Sequence, residues 1–300
     1  MKKRKRRSNL LEARSDRVYY FVNQMILFIL ALIVIYPLYF VVIASISDPD
    51  AVLNGEVYLR PVRITFEGYK RLFNERSIWI GYRNTILYTF FGTTLNILLT
   101  IPAGWALSRP TLPYRKLIMW FFIITLFFGG GLIPFYLLVS RLGLIDSPLA
   151  LILPGAVSVW NVFMTRAYYQ SNIPEDLLEA AKIDGANEFR TFRSVILPLS
   201  KPIVAVMVLF YAVGHWNAYF NALIFLQTEE YFPLQLILRE ILIVTETTIG
   251  TGDLHTILEK QKMANQLKYS SIIVSTLPII LFYPFIQKFF KKGFLVGSFK

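Results

Sequence analysis

The sequence predicts an all-α protein that crosses a membrane six times, and three observations carry that prediction. More than half of the 300 residues are hydrophobic, 25 of them phenylalanine, which is too apolar for a chain that must cover itself with polar surface. Six apolar runs, Val18–Ala44, Tyr82–Leu107, Leu117–Val139, Leu149–Tyr168, Pro202–Leu226 and Ser271–Phe290, are each long enough to cross about 30 Å of hydrocarbon. The charges also sort by side. Six spans place both ends on one side, and the segments there carry 20 of the 31 Lys and Arg but only 7 of the 19 Asp and Glu. That side is net +13 and the other net −1, as the positive-inside rule expects of a cytoplasmic face.

Residues 1–17 form a basic cytoplasmic tail, K-K-R-K-R-R followed by Arg14 and Arg17. The apolar run after it is too long for a signal peptide, so it reads as a retained first span. The tail serves topology and attraction to anionic lipid; no folded reader module accompanies it, so nucleic acid is not an expected partner. Residues 18–290 are read as the transmembrane domain and 291–300 as a cytoplasmic C-terminal tail. The first outer segment, Ser45–Arg83, is too polar to span and is expected to be partly helical around Tyr69–Phe73.

The second span carries Thr85, Thr89, Thr93, Asn96 and Thr100 at spacings of three and four, hence on one helical face. Such groups either bond neighbouring helices or line a pathway; packing is the preferred reading. The third span holds Gly129-Gly130-Gly131 and Pro134, which suit either a pathway-side kink or close packing. Pro154, Gly155 and Asn161 hint at a broken helix in the fourth. In the fifth, Gly214-His215-Trp216-Asn217-Ala218-Tyr219-Phe220-Asn221 mixes amides, an imidazole and aromatic rings. Sugars need both flat apolar faces and fixed donors and acceptors. His215, Asn217 and Asn221 are expected to share a face turned to a pathway, since they are costly toward lipid; the alternative is an interfacial aromatic belt. The candidate pathway residues are therefore His215, Trp216, Asn217, Tyr219, Asn221, Gly130 and Asn161. The second long outer segment, Gln227–Ser270, contains P-L-Q-L-I-L-R-E-I-L, whose apolar residues are expected on the membrane face. A loop is expected over Thr245–Asp253.

The chain is organised around the charged stretch 174–202 between the fourth and fifth spans. Pro174 suits a first helical turn, and Glu175 and Asp176 suit the positive end of a helix dipole. Leu177, Leu178, Ala181 and Lys182 follow as an apolar edge with a basic flank. Gly185 stops the helix. A second helix runs from Asn187 to Ile196 with Phe189, Phe192 and Ile196 on one side, ended by Pro198. The physical reading is helix, bend, helix on the membrane surface. It either packs only on its own bundle or offers small Ala180 and Ala181 to another surface.

These residues also carry a resemblance. Glu179-Ala180-Ala181, three residues, Gly185, nine residues, Val195, one residue, Leu197-Pro198 resembles the EAA loop of ABC importer permeases; Val195 stands where the family usually has Ile. The longer form E-A-A-x-I-D-G-A with Phe192 and L-P-L-x-x-P is similar to the carbohydrate branch, the maltose-permease-G-like subunits. S-I-S-D-P-D-A-V, Phe66-Glu67-Gly68-Tyr69, Trp216-Asn217 and the end Lys288–Lys300 resemble the same branch, so the likeness covers Val18 to Lys300. It implies a type I importer fold. It implies that Glu179, Ala180, Ala181, Asp184, Gly185, Leu197 and Pro198 form a coupling loop docking into a cytoplasmic ATPase. The partners it implies are a second homologous permease subunit, two ATPase subunits that hold ATP and Mg, an extracytoplasmic substrate-binding protein, and a sugar. The location it implies is the bacterial cytoplasmic membrane.

Chemistry of the chain's own has little to rest on. There is no Walker A loop to cradle phosphates, no Cys, and the two His share no ligand motif. No acid–base pair sits in a span, so no catalytic residue, metal or cofactor is expected here. Two rival readings are a membrane docking or assembly protein and a secondary transporter. The latter usually needs charged residues in its spans for proton coupling, and these spans lack them.

Overall fold

The computed structural model describes residues 14–247 and 254–293, and these are helices and connecting loops. Most of the basic tail, residues 248–253 of the expected Thr245–Asp253 loop and the last residues of the C-terminal stretch lie outside the described residues.

Among the described residues, two helices are long and apolar enough to cross a membrane unaided: Val18–Ser45 within α1 (Arg14–Ser45), and α4 (Arg76–Ser108). The third, fourth and fifth expected spans are interrupted. The third is two helices, α5 (Arg115–Phe127) and α6 (Leu132–Arg141), which meet at 115°. Among the described residues, no close packing falls on its glycines. A Cβ at Gly129 or Gly131 would meet nothing within 4 Å, and at Gly130 only Pro134 at 3.6 Å. Their use is the turn itself, since Gly131 has φ +83°, a conformation open to a residue without Cβ. The fourth is α7 (Leu149–Ile152) and α8 (Val159–Asn172), broken where Pro154 and Gly155 stand. Ser158 restarts it, its Oγ accepting from the Asn161 N–H. The fifth is α12 (Lys201–Trp216) and α13 (Phe220–Phe225). The sixth falls inside one 40-residue helix, α15 (Leu254–Gly293).

The chain forms two compact units, Met1–Lys70 with Ile249–Ile273, and Arg71–Thr248 with Val274–Lys300. In the first, Asp48 caps α2 (Pro49–Leu53), its carboxylate accepting from the Asp50 and Ala51 N–H groups, with Pro49 at the first position, where a missing N–H costs nothing. Asp50 pairs with Lys262 at 2.8 Å. Ile43, Ala51 and Val57 make a small core beneath. The Tyr69 hydroxyl donates to Ser45 Oγ at 2.7 Å, tying α3 (Glu67–Asn74) to the end of α1.

In the second unit α4 is the axis, with α8, α12 and α14 (Leu234–Thr247) against it. Its polar face is a set of fasteners, as the packing reading expects. The Thr85 hydroxyl accepts from the Leu234 N–H at 2.8 Å. The Asn84 amide donates to the carbonyls of Glu230 and Phe232, and the Tyr88 hydroxyl to that of Tyr231. Thr100 Oγ1 and the Tyr211 hydroxyl share a bond of 2.7 Å. The buried hydroxyls of Thr89 and Thr93 have no hydrogen-bond partner among the described residues. Three glycines let neighbours approach: Gly81 lies against α14, Gly92 against α12 and Gly104 against α8, as small residues do between membrane helices. The apolar residues expected on the membrane face at Gln227–Ser270 are thus largely internal. Leu234, Leu236, Ile237 and Leu238 are buried, because α4 supplies polar partners for the backbone just before them.

Elsewhere in the second unit, Asp146 clamps two loops. Its N–H donates to the Phe225 carbonyl at 2.7 Å. Its carboxylate accepts from the Gln227 and Thr228 N–H groups and the Thr228 hydroxyl at 2.9, 2.8 and 2.6 Å. Those bonds, the Thr228 hydroxyl foremost, hold the Asp146 carboxyl below its ordinary range.

Candidate functional site

The loop at 174–202 is built as a frame with one inward and one outward face. α9 (Glu175–Ile183) follows Pro174 and carries Glu175 and Asp176 in its first turn. Leu178 and Ala181 are buried, Leu178 in a core with Trp105, Tyr169, Ile173, Ile196 and Ile203. α9 ends in a reciprocal pair of bonds, Ala186 N–H to the Ala181 carbonyl at 2.9 Å and Gly185 N–H to the Lys182 carbonyl at 3.0 Å. This Schellman closure needs a left-handed residue between, and Gly185 has φ +72°. Asn187 then caps α10 (Glu188–Thr191), accepting from the Arg190 N–H at 2.8 Å.

The expected end at Pro198 is corrected. The helix widens into a π turn over Phe192–Ile196 and runs through Pro198 as α11 (Leu197–Leu199), then bends 77° into α12. Proline lacks the N–H that a tight turn needs, and its ring presses on the carbonyl four residues back; the wider turn gives it room. The expected shared side of Phe189, Phe192 and Ile196 also splits. Phe192 and Ile196 pack on the core, but Phe189 does not. Facing outward are Glu179, Ala180, Asp184, Gly185, Leu197 and Pro198, with two large apolar side chains, Ile183 at 86% and Phe189 at 70% exposure. Of the seven residues assigned to coupling, only Ala181 is turned inward. Among the described residues no Lys or Arg lies within 4 Å of the Glu179 carboxylate. Lys182 instead lines a cavity of about 310 Å³ under the loop with Trp105, Arg109, Leu178, Asn187 and Thr191.

The pathway candidates do not converge on one face. α12 ends at Trp216, so the helical face expected through His215, Asn217 and Asn221 does not exist. The Asn217 amide turns back to cap the Val213 carbonyl at 2.9 Å. His215 and Trp216 point into their own bundle. His215 Nε2 bonds Asn96 Oδ1 at 2.7 Å. Asn96 uses both amide hydrogens on the Gly155 and Ala156 carbonyls at 2.8 Å each, so its oxygen must accept and His215 must carry its proton on Nε2. One turn earlier, the Tyr211 hydroxyl accepts from the Ser158 N–H at 3.3 Å. α12 therefore holds the break in the fourth span with two rungs. The Trp216 indole is buried and donates to the Ser275 carbonyl at 2.9 Å. Asn217, Tyr219 and Asn221 are exposed. Asn161 is buried in α8, and Gly130 lies in the turn between α5 and α6. Sequence reasoning missed Arg239, whose guanidinium lies 5.8 Å over the Tyr219 ring; nothing local links residues twenty apart.

A model of the binding-protein-dependent transport system inner membrane component matches residues 77–296. The chain belongs to that family. This permease is 37% identical to the polygalacturonan/rhamnogalacturonan transport system permease protein YtcP of Bacillus subtilis (strain 168), over 91% of its own length and 95% of that protein's. It is 34% identical to protein LplC of the same organism, covering 96% of each chain. Among solved structures it resembles a chain of a bacterial ABC transporter involved in the import of the acidic polysaccharide alginate, with TM-score 0.82 and 34% identity over 93% of this permease and 98% of that chain. The expected ABC permease family is thereby met, and the helical fold is that of an ABC importer permease. The family is a transport component of the inner membrane.

Proposed function

We propose that this permease carries an oligosaccharide across the bacterial cytoplasmic membrane by alternating access. In this reading it has six spans and both termini in the cytoplasm, and ATP and Mg are bound by two partner ATPase subunits. A second permease subunit completes the pathway, and an extracytoplasmic binding protein delivers the sugar. Support for the cargo comes from relatives described as permeases for polygalacturonan/rhamnogalacturonan, arabinooligosaccharides and maltodextrin.

The observation that carries the mechanism is the outward face of the 174–202 loop. An acid without an internal partner and two largely exposed apolar side chains stand on a frame whose other face is core. Exposed apolar surface of that kind marks a protein contact, and a carboxylate brought into such a contact needs a cation from the other side. The cleft of an ATPase subunit supplies both in this reading. Closure of the ATPase dimer then pushes on α9, and the Leu178 and Ala181 contacts pass the motion to α4, α8 and α12.

The test is co-purification with the ATPase expressed alongside, followed by sugar-stimulated ATP hydrolysis. Glu179→Gln should leave the complex assembled and uncouple uptake from hydrolysis, and a charge swap in the ATPase cleft should partly restore Glu179→Lys. If Lys182→Met reproduces the whole defect and no ATPase swap rescues anything, Glu179 acts inside its own loop.

A further inference from the structure

Arg115 and Arg166 share one acceptor. The Arg115 Nε–H donates to the Leu107 carbonyl at 2.9 Å, and the Arg166 Nε–H donates to the same oxygen at 3.1 Å. Two guanidinium groups are thus held side by side where the end of α4, the start of α5 and the middle of α8 meet. Phe122 and Phe163 close the same seam between α5 and α8, their rings 6.4 Å apart centre to centre. Both arginines are half-buried. Their Nη donors have no hydrogen bond or ion pair among the described residues.

The junction also lacks a counter-charge. α4, α5 and α8 together contain no Asp or Glu. The carbonyl end of α4 supplies about half an elementary charge, against two full cations. Like charges gathered on one oxygen and partly desolvated repel each other until an anion answers them. The two Nε bonds leave both forks already positioned, and a guanidinium fork matches the oxygens of a phosphate.

The surroundings select among anions. Leu107 ends one apolar run and Arg166 lies inside another, so the pair stands at the depth where hydrocarbon gives way to headgroups. On the same end of α5, Tyr114, Leu117, Trp120 and Phe121 are exposed. Aromatic rings collect at that depth of a bilayer, and basic pockets between membrane helices hold anionic headgroups there.

We propose that Arg115 and Arg166 bind the phosphate of an anionic phospholipid, whose acyl chains lie along the exposed Leu117, Trp120 and Phe121. A headgroup with net negative charge answers the two cations, whereas a choline headgroup returns a positive charge to the site. The bound lipid ties the first turn of α5 to α8 and to the end of α4. The site depends on the chain crossing a membrane and is independent of its cargo.

The test uses the complete transporter complex, delipidated and placed in nanodiscs of phosphatidylcholine alone or mixed with phosphatidylglycerol. Retained lipid is counted by native mass spectrometry. Wild type should retain phosphatidylglycerol over phosphatidylcholine; no preference overturns the proposal. Arg115→Gln and Arg166→Gln should each weaken retention on the order of tenfold to a hundredfold, the range of a lost charge-assisted bond. Lys116→Gln removes an exposed charge next to the pair and should change retention by no more than about twofold; a loss equal to that of the arginine variants would mean general surface charge and no site. Inorganic phosphate at equal concentration should not displace the lipid, and displacement would assign the pair to a soluble anion instead. Glutamine variants that keep the lipid but shed partner subunits would show that the pair serves a protein acid, and the lipid assignment would be wrong. A photoactivatable phosphatidylglycerol needs no variant: on wild type its crosslinks should fall within residues 114–121, and their absence there removes the site.

Discussion

Gly92 is the position where one added methyl should do the most damage to the polar core. A Cβ there would lie 2.4 Å from His215 Nε2 and 2.5 Å from Cε1. The ring must withdraw by roughly 1 Å to reach ordinary contact. That stretches the 2.7 Å bond to Asn96 beyond the distance at which a hydrogen bond survives. Two terms add. Overpacking costs about 1–3 kcal/mol. The orphaned Asn96 oxygen adds about 0.6–2 kcal/mol, the range measured or expected for interhelical polar bonds in membranes. Gly92→Ala should therefore destabilise the permease by about 2–4 kcal/mol and loosen the fourth-span break, whose Gly155 and Ala156 carbonyls Asn96 holds. The assay is a double-mutant cycle with His215→Ala, read by unfolding of the purified complex in detergent. Removing the ring removes the clash, so the double variant should be no less stable than His215→Ala alone, a coupling of at least about 1 kcal/mol. Costs that add within about 0.5 kcal/mol would mean that Gly92 and His215 do not meet, and the reasoning fails.

Gly185→Ala isolates backbone strain, because no atom lies within 4 Å of the added carbon; a left-handed Ala costs about 1–2 kcal/mol, so sugar-stimulated hydrolysis should fall while membrane insertion is unchanged, and normal uptake would contradict the role given to the turn. Tyr211→Phe removes the hydroxyl that joins Thr100 to the Ser158 N–H and should cost about 1 kcal/mol, seen as faster hydrogen exchange at 153–158. For Asp146 the folded carboxyl titrates below the unfolded one, so its clamp is fully stabilising above the unfolded value and is lost as pH falls through the folded value. Protease cleavage at 225–228 should rise in that acid window, and Asp146→Asn should abolish the pH dependence; an unchanged acid profile in that variant would show that other groups set it.

Much of this was legible in the residues. Apolar length, charge sidedness and the period of the threonine face are local properties, and they placed α1, α4 and the bonds of Thr85, Asn96 and Thr100, but not those of Asn84 and Tyr88 nor the lack of a hydrogen-bond partner at Thr89 and Thr93 among the described residues. The first half of the loop at 174–202 was equally readable, down to the left-handed Gly185, because caps and turns are set by residues within one helical turn of each other; its second half was not, since the helix runs through Pro198 and Phe189 turns away from the core. Helix breaks were half legible. Pro154 and Gly155 announced one, and Gly129–Gly131 announced a weak point without saying that the chain would turn 115° there. The Asn217 break was missed, since an apolar run with an amide in it reads the same whether the helix continues or stops.

What only the tertiary structure decided is which partner each ambiguous side chain meets. Trp216 and His215 carry the same sequence signal as Tyr219 and Asn221, yet the first pair is held inside by Ser275 and Asn96 and the second is left outside. Leu234–Leu238 read as lipid-facing until Asn84, Thr85 and Tyr88 satisfied the backbone ahead of them. Arg239 reaches Tyr219 only because the chain folds back between them. The sequence by itself determined that the chain is helical, where its apolar runs lie and how the loop turns after α9, because those follow from periodicity, transfer free energy and backbone geometry within a few residues. Pairings between residues twenty to nearly one hundred and fifty apart depend on the whole bundle closing at once, and no local free energy encodes them.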